Sequence, residues 1–194
     1  MARRDRLMYA AMGRDTVRFS CHHCLHCCTD VVCLPTPWDV IRIVRGTGEP
    51  PESFLEFIGP EDITGVSAND PTWLKCGGKK YLMALRRDAR TGCHFLDQKR
   101  RVCRIYEHRP ILCRLYPFKL QETRDGDFRG FALHTDVGCP RHHDGEVPTA
   151  PLYDLYLDDA DHQEDYGELV EVFNRRKYEG KRPEDFIGMF VVKG

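Results

Sequence analysis

Phe19-Ser20-Cys21-His22-His23-Cys24-Leu25-His26-Cys27-Cys28 packs four thiols into eight residues, with an aromatic residue leading in. A metal centre needs several deprotonated ligands converging on one point, and cysteines three apart on a tight turn can aim two or three thiolates inward together. Cys21, Cys24 and Cys27 have that spacing. Cys28 leaves the backbone in a different direction from Cys27, so it can serve a second metal or the opposite side of the same cluster.

A second set of thiols is more dispersed. Cys93 and Cys103 flank the turn at Asp97–Arg100, and a hairpin there is expected to set them nearly opposite each other across two strands. Cys113 follows on a helical turn after Arg109-Pro110, and Cys139, before Pro140, is expected to return to the same region. The candidate ligands are therefore Cys21, Cys24, Cys27, Cys28, Cys93, Cys103, Cys113 and Cys139, enough for two four-thiolate sites or for one multinuclear cluster with spare ligands. Cys33 and Cys76 lack partners at ligand spacing and are expected to be small buried hydrophobes. His22, His23 and His26 are expected beside the ligands rather than among them, and His142 and His143 in solvent. Thiolate softness excludes calcium and magnesium but leaves both zinc and an iron-sulfur cluster open. Buried thiolates need counter-charges, for which Arg104, Arg109 and Arg114 are placed near Cys103 and Cys113.

The rest of the composition is ordinary. The chain has 194 residues, ten of them cysteine, and 29 basic against 30 acidic side chains give a net charge of -1. At that length a core forms without disulfide staples, and the balanced charge supplies no field to draw the protein onto nucleic acid or an anionic membrane. No apolar run suits a signal peptide or a membrane span. The expected setting is the cytoplasm, where clustered cysteines serve as metal ligands or redox thiols rather than disulfides.

Local patterns suggest the elements. Thr36 can cap a helix that Pro37 opens, with Val40, Ile41 and Val44 at helical spacing and Gly46 as its stop. A second helix is expected over Glu52–Ile58, and a loop over residues 60–80. Tyr81–Arg87, Cys93–Leu96 and Val102–Tyr106 read as short strands. A helical turn runs from Arg109-Pro110 through Leu115 to a stop at Pro117, and Phe118–Gln121 with Phe128–Leu133 reads as a hairpin around Arg124-Asp125-Gly126. The tail holds an acidic stretch, Asp158–Asp165, and a helix over Gly167–Lys177.

These residues resemble a known family, the small bacterial and archaeal CxxCxxCC (YkgJ-type) proteins with a zinc- or iron-chelating domain. The resemblance rests on Phe19 to Cys28, on the helix from Thr36 to Ile43, and on a second half in which Cys93-His94-Phe95-Leu96 precedes Cys103-Arg104-Ile105-Tyr106-Glu107-His108-Arg109-Pro110-Ile111-Leu112-Cys113-Arg114-Leu115-Tyr116-Pro117-Phe118. It covers roughly residues 19 to 140. Leu25 stands where the family often has glycine, and Arg141 follows Cys139-Pro140 where glycine is common. The domain is also distantly similar to that of flagellin lysine N-methylases, which implies an iron-sulfur cluster and a methyl donor in some relatives. No glycine-rich loop follows a strand to cradle S-adenosylmethionine, so that activity is not carried over.

The expected fold is α+β, a small cysteine-rich, metal-centred domain of short helices and a small antiparallel sheet. A lead-in (1–18), a metal-binding domain (19–145) and a partly helical C-terminal extension (146–194) make up the chain. The leading function is cysteine-ligated binding of an iron-sulfur cluster or zinc, serving redox, metal handling or cofactor delivery. One alternative is a metal-dependent enzyme, a protein methyltransferase or oxidoreductase, with substrate held by Arg109, Arg114, Tyr106 and Tyr116. Another is a zinc-stapled interaction module. Metal ions are the expected partners, nucleic acid and membrane are not, and no protein partner is indicated.

Overall fold

A computed structural model describes residues 16–125, 128–135 and 138–191. Most of the expected lead-in (residues 1–15) and Gly126 of the expected turn lie outside the described residues.

The architecture is α+β, built from short antiparallel pairings. In chain order the strands are β1 (Thr16–Ser20), β2 (Leu55–Ile58), β3 (Leu74–Cys76), β4 (Lys79–Leu85), β5 (Arg87–Asp88), β6 (Gly92–Cys93), β7 (Leu96–Asp97), β8 (Val102–Cys103), β9 (Phe118–Glu122), β10 (Phe128–Leu133) and β11 (His142–Pro148). The α-helices are α1 (His26–Thr29), α2 (Pro37–Thr47), α3 (Pro51–Phe54), α4 (Ile111–Leu115) and α5 (Thr149–Arg175). The largest sheet runs β2-β4-β3, and the other strands form the pairs β1-β11, β5-β6, β7-β8 and β9-β10.

The main core is organised by β4, whose Leu82, Met83, Ala84 and Leu85 are all buried. A strand covered on both faces reads as a continuous apolar run. Val40 and Ile43 of α2, Phe54 of α3 and Tyr166, Val170 and Phe173 of α5 pack around it, joined by Phe186 and Ile187 from the 3-10 segment Pro183–Met189. A smaller cluster joins Phe131 of β10 to Leu152 and Tyr153 of α5. The tail thus runs along both clusters rather than trailing from them.

Helix α2 begins as expected and with more detail. The Thr36 hydroxyl accepts from the Asp39 amide at 3.3 Å, and Asp39 Oδ2 accepts from the Thr36 amide at 3.0 Å, a full capping box. The stop is Gly48, at φ 73°, not Gly46. The expected helix over Glu52–Ile58 lasts only one turn. Leu55–Ile58 pairs with Leu82–Leu85 instead, because a sheet edge was available to satisfy its backbone. The expected loop at 60–80 contains β3, joined to β4 through Gly77 and Gly78 at φ 56° and 77°. Two central residues with positive φ are what a type I′ hairpin turn requires. The expected C-terminal helix over Gly167–Lys177 is the last part of a 27-residue helix that also includes the acidic stretch. The helical turn α4 and the β9-β10 hairpin form where expected.

Candidate metal centre

Two antiparallel contacts bring the ends of the chain's cysteine map together. β1 pairs with β11, Ser20 opposite His142, so Cys21 and Cys139 leave the ribbon at the same end. His26 strengthens this closure: its Nε2 accepts from the Gly138 amide at 3.1 Å, while Nδ1 lies 3.1 Å from Asp30 Oδ2. His22 stacks on His142 at 3.8 Å between centroids and meets Asp144 at 2.9 Å. These two histidines brace the loop.

A second closure brings Cys93 to the motif. Gly92, at φ 76°, lies so close to α1 that a Cβ there would stand 2.6 Å from the Cys28 carbonyl oxygen. Only glycine allows β6 to approach that closely. Cys93 pairs with Arg87, and Cys103 with Leu96, so the two cysteines are not partners across one hairpin as expected. The segment between them breaks into two small ribbons, which carry both thiols to the same cavity by a different route.

Cys113 is set by a buried carboxylate. Asp39, fully buried, accepts from the amide of Ile111 at 3.1 Å through Oδ1, and Arg42 lies against the same oxygen at 2.5 Å. Arg42 also donates to the Arg109 carbonyl oxygen at 2.9 Å. One carboxylate therefore caps α2 and ties it to the start of α4.

The result is a single cavity of about 320 Å³ lined by nine of the ten cysteines: Cys21, Cys24, Cys27, Cys28, Cys33, Cys93, Cys103, Cys113 and Cys139. Leu85, Phe95 and Ile105 wall it on the main-core side, and Phe118, Val147 and Leu152 on the other. All ten cysteines are free thiols. Cys76 is buried away from the cavity, as expected of a structural thiol, but Cys33 lies in its wall with Sγ 3.4 Å from that of Cys113. Sequence reasoning passed over Cys33 because its partner lies 80 residues away.

The thiols differ in proton affinity. Burial pushes Cys93 up to about 11 and raises Cys103 and Cys139. The hydrogen bond to Cys113, with burial second, raises Cys33. Cys27 and Cys28, 3.8 Å apart, titrate as a pair. Their mutual hydrogen bond brings Cys27 down to about 7, with help from Arg109, and holds the proton on Cys28. Tyr116 is pushed up to about 12 by burial and by the charges of Cys139, Cys27 and Cys24.

Arg87, Arg109 and Arg114 line the cavity. Arg109 also lies 3.9 Å from the centroid of Tyr106. Arg104 is not among the lining residues. Its guanidinium is taken by Glu49 at 3.0 Å, a correction to its expected counter-charge role. Arg87 takes that place, signalled in sequence only by its position after an apolar strand.

Among the described residues, no three His, Cys, Asp or Glu side chains stand close enough, as arranged, to hold an ion. The donor set nonetheless suits a thiophilic metal. Soft sulfurs line an apolar-walled cavity with guanidinium groups at hand. No helix among the described residues is long and apolar enough to cross a membrane.

The sequence model of the CxxCxxCC family, described as "Putative zinc- or iron-chelating domain", matches residues 20–133. An uncharacterized protein of Methanocaldococcus jannaschii, MJ0661, is 34% identical over 80 residues, which are 41% of this chain and 37% of that protein. The chain thus spans well under half the length of the curated relative it matches. No solved structure matches the chain.

Proposed function

The chain belongs to the CxxCxxCC family of zinc- or iron-chelating domains, and from that premise we propose that its cysteine-lined cavity is the chelating site, with Cys21, Cys24, Cys27, Cys28, Cys93, Cys103, Cys113 and Cys139 as ligands. The observation that carries this reading is the convergence of cysteines from residues 21–28, 93, 103, 113 and 139 on one cavity. Scattered structural thiols have no reason to share a wall. The ligand chemistry accommodates zinc or an iron-sulfur cluster, the latter supplying electron transfer when bound.

Metal handling is the role best supported, with cofactor delivery and redox service as close relatives of it. Cys21 and Cys24 are exposed at the rim, whereas Cys33 is buried. That gradient offers an ion a route inward, unlike a closed structural site. Arg109 stacked on Tyr106 favours neutralisation of the site over substrate binding, because the cation already has a partner. A functional unit of residues 19–145, braced by 146–194 and working in the reducing cytoplasm, suits ten free thiols.

Metal and acid-labile sulfide analysis of full-length protein purified without oxygen, with a visible spectrum, tests the proposal. Iron with matching sulfide and a broad visible band identifies an iron-sulfur protein, and stoichiometric zinc without colour identifies a zinc chelator. If neither metal binds even on reconstitution and all ten thiols stay titratable, the chelating site is wrong.

A further inference from the structure

The β3-β4 hairpin and the end of α5 enclose a second cleft, of about 620 Å³, which shares no lining residue with the cysteine cavity. Its frame is fixed by side chains. Asn174 Oδ1 accepts from the Lys75 amide at 2.7 Å and its Nδ2 donates to the Trp73 carbonyl oxygen at 2.9 Å, which ties the hairpin to the helix. Lys181 closes the helix end: its Nζ donates to the carbonyl oxygens of Phe173 and Arg176 at 2.7 and 2.9 Å, and lies 4.1 Å from the centroid of the Phe173 ring.

A helix C-terminus carries roughly half a negative charge, and Lys181 offsets it. The rest of the cleft is positive. Lys75, Arg176 and Lys177 line it, all three exposed, and among the described residues no carboxylate pairs with any of them. The flanking Arg175 and Arg182 differ, being taken by Glu171 and Asp185. Glu179 is the single acid in the lining. Three cations against one carboxylate leave two positive charges here, in a chain whose net charge is -1.

Two further features select the kind of anion. Gly77 and Gly78 form the hairpin turn in the lining, outside the strand register, and a Cβ on either would meet nothing within 4 Å. Bare backbone at a turn lets an anionic oxygen approach the amides closely. Tyr178 lines the same cleft with its side chain 48% exposed, and its hydroxyl donates to Asp185 Oδ2 at 2.9 Å, so the ring is a tethered platform. A phosphate monoester supplies about two negative charges, and a nucleobase stacks on an aromatic face. We propose that this cleft binds a nucleotide, with its phosphate held by Lys75, Arg176, Lys177 and the Gly77-Gly78 turn and its base against Tyr178. The volume falls in the range of roughly 300–1,000 Å³ usual for small-ligand sites. The proposal is independent of the chelating site.

Equilibrium dialysis of the full-length chain against labelled adenosine monophosphate, at low and high salt, tests it. Saturable binding that weakens as salt rises is the expected result. Lys177→Glu should weaken binding by about tenfold or more, because it removes one charged contact to the phosphate and adds a repulsive one. Tyr178→Leu should weaken it further than Tyr178→Phe, which keeps the ring. Lys99→Glu, the same charge change on the remote turn between β7 and β8, should leave it unchanged. Adenosine or inorganic phosphate binding as tightly as the nucleotide would overturn the two-part site, as would absence of saturable binding. A Lys177→Glu chain that is folded by circular dichroism and binds like wild type would also overturn it. If that variant fails to fold, the comparison of the three probes on wild type decides.

Discussion

Leu25 and Arg141 hold left-handed backbone, at φ 70° and 52°, at the two positions where the resembling family favours glycine. A non-glycine residue there costs roughly 1–2 kcal/mol. Leu25 offsets the cost by burying its side chain in the cavity wall, and Arg141 by two hydrogen bonds, to the carbonyl oxygens of His134 and Thr135 at 3.2 Å each. Burial of a leucine is worth about 1.5–3 kcal/mol, so Leu25→Gly should lower stability by about 1 kcal/mol in urea titration, despite relieving the backbone. Glu49 acts on two candidate ligands at once. It accepts from Arg104 at 3.0 Å and meets His94 at 2.8 Å, the residues that follow Cys103 and Cys93. The hydrogen bond to His94, then that to Arg104, holds its carboxyl below the ordinary 4.5. A depressed carboxyl contributes stability that is complete above its ordinary value and lost as pH falls through its folded value. Glu49→Gln should therefore cost about 1 kcal/mol at neutral pH, with the gap to wild type closing well below pH 4.5. A gap that persists in acid would assign the effect to packing rather than charge.

At the scale of elements, close approach decides more than propensity does. Gly92 and Gly48 share nearly the same backbone, φ 76° and 73°, but a Cβ on Gly48 meets nothing within 4 Å while one on Gly92 meets the Cys28 carbonyl oxygen. Gly48→Ala should cost about 1 kcal/mol, the conformational part alone. Gly92→Ala should cost about 3 kcal/mol or more by thermal denaturation and weaken metal retention, since overpacking adds to strain and moves β6 off α1. Equal losses in the two variants would mean the contact yields freely. The same scale shows what could be read locally. The Thr36 cap, the turn after Arg109-Pro110 and the Phe118 hairpin were legible, because each carries a local signal: a capping hydroxyl before a proline, a proline opening a helical turn, and two apolar runs close together in the chain. β2 was not legible, because Leu55–Ile58 has helical spacing and becomes a strand only when β4 lies beside it. β3 had its signal in Gly77-Gly78, a two-residue hairpin turn hidden in a polar segment.

Across the whole molecule, α5 joins the two apolar clusters that flank the cavity. Its first turns carry Leu152 and Tyr153 into the smaller cluster, and its last turns carry Tyr166, Val170 and Phe173 into the larger. Ending the chain at residue 148 would remove those side chains together with Phe186 and Ile187. Seven large core groups at about 1.5–3 kcal/mol each amount to at least a typical domain's whole stability. The truncated chain should show no cooperative thermal transition by circular dichroism. A sharp transition near that of the full chain would instead establish the preceding residues as a self-sufficient fold.

The chemistry was written in the chain: soft thiols at turn spacing, a charge balance without a global field, and a family pattern spanning most of the chain. Those features reside in residue identity and short-range spacing. Tertiary structure alone decided which thiols meet. Cys33 and Cys113, or Cys21 and Cys139, are separated by long stretches of chain, and only the Asp39 tie, the β1-β11 ribbon and the glycine at position 92 bring them to one wall. Spacing along the chain governs local geometry, but convergence between remote segments depends on packing, and periodicity carries no record of it.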